Sequence, residues 1–192
     1  MSANPVHLYT LEEYFALEHA SDARYEYWDG EIICMSGGSR EHGVISRNVV
    51  GNLFSQLKGS PCEVHTSDSA IKTPVFPPYR YPNASAVCGK PIFENIQGID
   101  VLVNPVLLVE IISPTSEKRD LEKKLEIYQA IPSVKEYLVI YSTKRLVIQF
   151  VKQESGKWSR LETSDEQGVV ELTSVGCRLE MTEIYDRVFD GV

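Results

Sequence analysis

The sequence predicts an α/β (α+β) fold, a mixed β-sheet core with helices packed against it. Three observations carry the prediction. Segments with helical and strand-like spacing follow in the order helix, hairpin, helix, several strands, helix, strands. The run Val106-Leu107-Leu108-Val109-Glu110-Ile111-Ile112 is apolar on both alternating sets but for one acid, as in a strand covered on both faces. A helical stripe and a second apolar run come after it, the pattern of two parallel strands joined by a right-handed crossover helix. With 192 residues the chain is long enough for one such domain and short for two, so a single domain over 1–192 is expected.

Each element has its own local signal. Thr10-Leu11-Glu12-Glu13 has capping-box spacing and opens a helix over about residues 10–20. Asp29-Gly30 is a hairpin dipeptide between two β-prone runs, Glu26 to Trp28 and Glu31 to Cys34. Ser39 caps a second helix whose stripe, Ile45, Val49, Leu53, Phe54 and Leu57, runs out near Gly59. Short strands are expected at Glu63–His65, Ser69–Lys72 and Tyr81–Val87, with prolines 74, 77 and 78 marking the loop between the last two. Residues 88–104 read as an irregular stretch, a candidate flap over a substrate. Beyond the central run, Ser116 is placed to cap a helix reaching about Tyr128, with Leu121, Leu125 and Tyr128 on one face and Pro132 after its end. Glu136–Tyr141 and Leu146–Val151 then pair across a turn at Thr143-Lys144. Smaller strands come next at Trp158–Leu161 and Val169–Leu172, and a last helix lies within Met181–Val188.

Composition narrows the class of protein. The 43% hydrophobic and 24% charged fractions are those of a soluble globular chain, and no apolar run is long enough for a membrane span. Met1-Ser2-Ala3-Asn4-Pro5 lacks the basic-then-apolar order of a secretory signal, which makes the cytoplasm the expected location. Cys34, Cys62, Cys88 and Cys177 are scattered without a Cys-x-x-Cys pair and read as reduced thiols. The net charge of −8 counts against a nucleic-acid partner, which normally meets a basic face. The acids crowd the N-terminal part, however, whereas Lys118, Arg119, Lys123 and Lys124 share one helix after Glu110, and local sign governs phosphate contact.

Glu110 is the residue that points to chemistry. An ionised carboxylate leaves water at great cost unless a cation or several donors compensate it. Its place near the C-terminal part of a buried strand is where open sheets gather ligands. Candidate companions are Glu26, between two tyrosines; Asn83, after Tyr81-Pro82; and Lys124. Asp120, Lys124 and Tyr128 recur one turn apart on one helix face. Such a set suits a hard divalent cation, with the lysine steadying charge on a phosphoryl group. Taken singly, each has an ordinary explanation: a solvated acid at 26, a turn amide at 83, a surface ion pair at 120 and 124. His42, at the start of the second helix, is a candidate phosphate contact, or a residue that merely caps or packs. Phosphate-loop, dinucleotide-binding, nucleophile-elbow and His-Glu-x-x-His motifs are all missing.

Together these pieces resemble the Uma-type restriction-endonuclease-like family of the PD-(D/E)XK nuclease superfamily. The resemblance runs from Tyr9-Thr10-Leu11-Glu12-Glu13-Tyr14 to the Leu179–Tyr185 segment. It rests on Tyr25-Glu26 with Asp29-Gly30-Glu31, Gly38 with His42 and Ile45, Tyr81-Pro82, Val109-Glu110-Ile111-Ile112-Ser113-Pro114, and Asp120 with Lys124 and Tyr128. It implies a restriction-endonuclease-like mixed sheet flanked by helices and phosphodiester hydrolysis, in DNA, dependent on Mg²⁺ or Mn²⁺. The catalytic set it implies is Glu26, Asn83, Glu110 and Lys124. Asn83, Glu110 and the Ile111 carbonyl would hold the metal, and His42, Lys118, Arg119 and Tyr128 would contact substrate. The superfamily usually places its lysine two residues after the acid. Here that position is Ile112, and the role passes to Lys124. Where the family pattern has Asp after Tyr-Pro, this chain has Asn83, which predicts weakened metal affinity and slow or impaired cleavage. By analogy, a homodimer is a candidate assembly. Two rival readings stay open: a nuclease-fold module that binds nucleic acid or a protein partner without cutting, and an oligomeric structural protein.

Overall fold

The run around Glu110 forms the strand β9 (Leu107–Ile112), buried at every position. In the computed structural model, which describes residues 7–21, 23–35 and 37–189, it lies near the middle of a six-stranded mixed sheet. The reading of Met1–Pro5 falls outside those residues. The chain divides into two compact units, Met1–Gly38 and Ser39–Val192.

In the first unit, Thr10 caps α1 (Leu11–Ala20) with the full reciprocal capping box, its hydroxyl accepting from the Glu13 N–H. The hairpin of β1 (Tyr25–Trp28) and β2 (Glu31–Cys34) turns at Asp29 and Gly30, whose φ of 50° and 95° are those of the two-residue turn expected there.

The second unit holds the large sheet. β9 pairs in parallel with β10 (Glu136–Tyr141), and antiparallel with β6 (Ala84–Cys88) on its other side. Beyond β10 lie β11 (Val147–Lys152) and β12 (Trp158–Thr163), and beyond β6 lies β3 (Cys62–Thr66). The period of two then sorts the side chains of β9. Leu107, Val109 and Ile111 enter one core with Ile45, Val49, Leu53 and Leu57 of α2 (Arg40–Leu57), which Ser39 caps as expected. Leu108 and Ile112 enter the other core with Tyr128, Ile131 and Tyr137. Each such aliphatic side chain contributes roughly 1.5–3 kcal/mol when fully buried. Glu110 belongs to the second set, and that alternation aims it at the crossover helix.

Several expectations need correction. Residues 88–104 are not irregular, because they contain a hairpin of β7 (Phe93–Ile96) and β8 (Ile99–Leu102), turning at Gln97 and Gly98 with φ of 50° and 86°. It belongs to a separate four-stranded sheet with β4 (Ala70–Lys72) and β5 (Tyr79–Arg80). The strand expected from Tyr81 begins only at Ala84, since Pro82 has no N–H to give to a ladder. A further hairpin joins β13 (Val169–Leu172) to β14 (Cys177–Glu180), and α4 (Met181–Ile184) is shorter than expected. Cys62 and Cys88, read as free thiols, are joined by a disulfide because they sit directly opposite each other on β3 and β6. Among the described residues, no helix is long and apolar enough to cross a membrane.

Candidate active site

The crossover between β9 and β10 is helical over residues 117–129, but its middle, Arg119–Lys124, is π-helical, and only then does α3 (Leu125–Gln129) begin. Ser116, expected as its cap, instead accepts a hydrogen bond from the Ser113 N–H at 3.2 Å and holds the turn before the helix. A π-turn inserts a residue and so rotates the succeeding turns by about 100° relative to a continued α-helix. The consequence is a change of buried face: Asp120, Lys124 and Tyr128 are buried, whereas Leu121 and Leu125 are only partly so. The Tyr137 hydroxyl donates to the Asp120 carbonyl at 3.0 Å and pins the widened turn. Its ring meets that of Tyr128 edge-on, with centroids 5.1 Å apart.

That face delivers two donors to one oxygen. Lys124 Nζ lies 2.8 Å from Glu110 Oε1, and the Tyr128 hydroxyl donates to the same atom at 2.7 Å. Asp120 Oδ1 stands 3.4 Å from Lys124 Nζ. The Lys124 and Glu110 side chains are only 2% and 3% exposed. An ion pair so far from water survives because its charges are matched and its oxygen is hydrogen-bonded.

Asn83 approaches from the end of β6. The β6–β9 ladder ends at the pair Ala84 and Val109, and Asn83 Oδ1 extends it by accepting the Ile111 N–H at 2.7 Å. Asn83 Nδ2 lies 3.1 Å from His42 Nε2, on the first turn of α2. Burial pushes the His42 imidazole below its usual pKa.

Thus Asn83, His42, the Ile111 backbone, Glu110, Lys124 and Tyr128 are linked by contacts within the second unit. Lys118 is exposed and Arg119 half-buried on the helix that carries Lys124. Glu26 lies on β1 of the first unit, buried, its Oε2 accepting the Trp28 indole N–H at 3.0 Å. Asp120, which the sequence placed on the same helix face as Lys124 and Tyr128, joins them here, whereas Tyr137 escaped the sequence reading of the site, which held no signal for it.

The donors fit a hard divalent cation in kind and fall short in number. Glu110 and the Ile111 carbonyl are oxygens of the right chemistry. The Asn83 oxygen is engaged by a backbone N–H, and among the described residues no group of three or more His, Cys, Asp or Glu could hold a metal.

Comparison with known proteins agrees with this architecture. The family model described as "Uma2: Putative restriction endonuclease" matches residues 11–182. An uncharacterized protein of Synechocystis, slr1290, is 32% identical over 176 residues, covering 91% of this chain and 90% of its own. A second from the same organism, sll1609, is 26% identical over 164 residues, covering 85% and 92%. The crystal structure of a "putative nuclease belonging to DUF820" from Anabaena variabilis superposes with a TM-score of 0.72 at 18% identity, covering 94% of this chain and 99% of that one. At that identity the likeness shows a shared fold.

Proposed function

Because the chain belongs to the Uma2 family of restriction-endonuclease type, we propose that it hydrolyses phosphodiester bonds in DNA with the help of Mg²⁺ or Mn²⁺, and does so slowly. The observation that carries this is Glu110, a carboxylate withdrawn from water at the centre of the sheet, with Lys124 and Tyr128 on one oxygen and the Ile111 carbonyl next in the chain. Glu110 and the Ile111 carbonyl are the groups that would hold the cation. The chemistry such an ion supplies is a more acidic bound water and neutralised charge on the scissile phosphate.

The remaining steps belong to the chain. Tyr128 fixes the carboxylate's rotamer, so that Glu110 does not have to reorganise as charge develops. Glu110 and Asp120, 2.8 and 3.4 Å from Lys124 Nζ, hold that nitrogen where it would orient a water or offset charge on the transferring phosphoryl group. Lys118, Arg119 and His42 are the candidate phosphate contacts outside that centre. The test is incubation of plasmid and single-stranded DNA with Mg²⁺ or Mn²⁺, comparing the chain with its Glu110→Ala variant. Metal-dependent cleavage that disappears with Glu110 supports the proposal, and cleavage indifferent to Glu110 refutes it.

One observation favours a second reading, a nuclease-fold module that binds nucleic acid or a protein partner without cutting. Both ends of the Asn83 amide are occupied within the protein. Salt-sensitive retention on DNA without cleavage would mark that case.

A further inference from the structure

The orientation of the Asn83 amide is dictated by the main chain. The Ile111 N–H lies one step past the last β6–β9 pair and can only donate, so the amide corner 2.7 Å from it must be the oxygen. The opposite corner is therefore –NH₂, and it faces His42 Nε2 at 3.1 Å. A donor on that side requires Nε2 to be the unprotonated ring nitrogen, with the proton of the neutral ring on Nδ1.

We propose that Asn83 and His42 form a latch that closes this corner of the site to a divalent cation. The amide turns N–H bonds toward the place where a carboxylate would present its second oxygen, and it occupies the lone pair of His42 Nε2. Turning the amide over would offer an oxygen there, but it would set an –NH₂ against the Ile111 N–H and leave a buried donor without an acceptor. The latch opens only if both hydrogen bonds break together. In this chain the cation is left to Glu110 and the Ile111 carbonyl, and it binds weakly. An aspartate at 83 keeps the bond to Ile111 through one oxygen and frees the other. Compared with an aspartate, the asparagine at 83 thus reverses the polarity of the corner as well as lacking a charge. This inference rests on the reading of Glu110 as the cation-holding residue.

Two measurements on the full chain test it. Mn²⁺ binding is measured by calorimetry for the chain as it stands, for Asn83→Asp, and for Asn83→Asp combined with Glu110→Gln. Asn83→Asp is expected to bind Mn²⁺ about tenfold tighter or more, and the gain is lost when Glu110 is also replaced. The ¹⁵N shifts of His42 in the unsubstituted protein are expected to show protonated Nδ1 and bare Nε2. Equal Mn²⁺ affinity with and without Asn83→Asp overturns the latch, and so does a neutral ring protonated at Nε2. The second measurement needs no variant to fold. The two ideas fail separately: tight Mn²⁺ binding by Asn83→Asp with no DNA cleavage sinks the nuclease reading and leaves the latch. Cleavage by the unsubstituted chain with equally tight binding does the reverse.

Discussion

The ammonium of Lys124 and the carboxylate of Glu110 meet at 2.8 Å with both side chains almost wholly removed from water. Neither charge is tolerable there without the other, so the pair ties the crossover helix to the central strand as well as equipping the site.

Replacing one member leaves the other buried and uncompensated. Lys124→Met and Glu110→Leu should each destabilise the fold by about 3–5 kcal/mol. The double variant should lose clearly less than the sum, because the two residues share one interaction. Urea unfolding of the four proteins measures both effects, and strict additivity would show that the pair is not coupled.

Glu136 anchors the closing hairpin. This carboxylate on β10 accepts from Gln149 Nε2, from the backbone N–H groups of Thr173 and Ser174, and from both their hydroxyls. Glu136→Gln turns one acceptor into a donor among donors and should cost about 1–3 kcal/mol. Thermal unfolding reads the loss, and faster amide exchange at Thr173 and Ser174 locates it.

Two rings drawn out of water, the half-buried His42 and the buried Tyr185, contribute to the pH dependence of stability. Burial pushes the His42 imidazole down, so as pH falls below about 6.5 the unfolded chain takes up a proton before the folded one does. Stability is full above that value and declines below it, and His42→Gln should flatten the decline. Burial pushes the Tyr185 phenol up, its oxygen being hydrogen-bonded to the backbone of Tyr141 and Leu146. Its contribution is complete below about pH 10 and is lost as pH rises further. Denaturant midpoints taken from about pH 5 to 11 test both signs.

The disulfide between Cys62 and Cys88 leaves Cys34 and Cys177 as free thiols. Thiol titration of the denatured, unreduced protein should therefore find two groups, rising to four after reduction. Four groups before reduction would contradict the pairing.

Local chemistry made part of the fold legible in the sequence. Thr10 with Glu13, Asp29-Gly30 and Ser39 each announce an element through their own hydrogen bonds or backbone freedom. Glu110 stood out because a lone acid in an apolar run violates the pattern of a buried strand. The hairpin at Gln97-Gly98 was also within reach. Gln97-Gly98 is a turn dipeptide followed by the alternating Ile99-Asp100-Val101, and Asn95 donates to Asp100 across it at 2.8 Å. The rest depended on distant contacts. No sequence spacing reveals that Cys62 faces Cys88, because strand pairing decides it. The π-turn reverses the expected burial of Leu121 and Lys124, and it persists where Tyr137, from the next strand, holds the Asp120 carbonyl. The orientation of the Asn83 amide required Ile111, a residue on another strand.

The role of Glu110 is tested most directly by Mn²⁺-dependent cleavage of plasmid DNA by four proteins: the unsubstituted chain, Glu110→Ala, Asn83→Asp, and the double variant. The unsubstituted chain should cleave weakly, Asn83→Asp more strongly, and neither protein lacking Glu110 at all. Cleavage that persists undiminished without Glu110 would contradict that role.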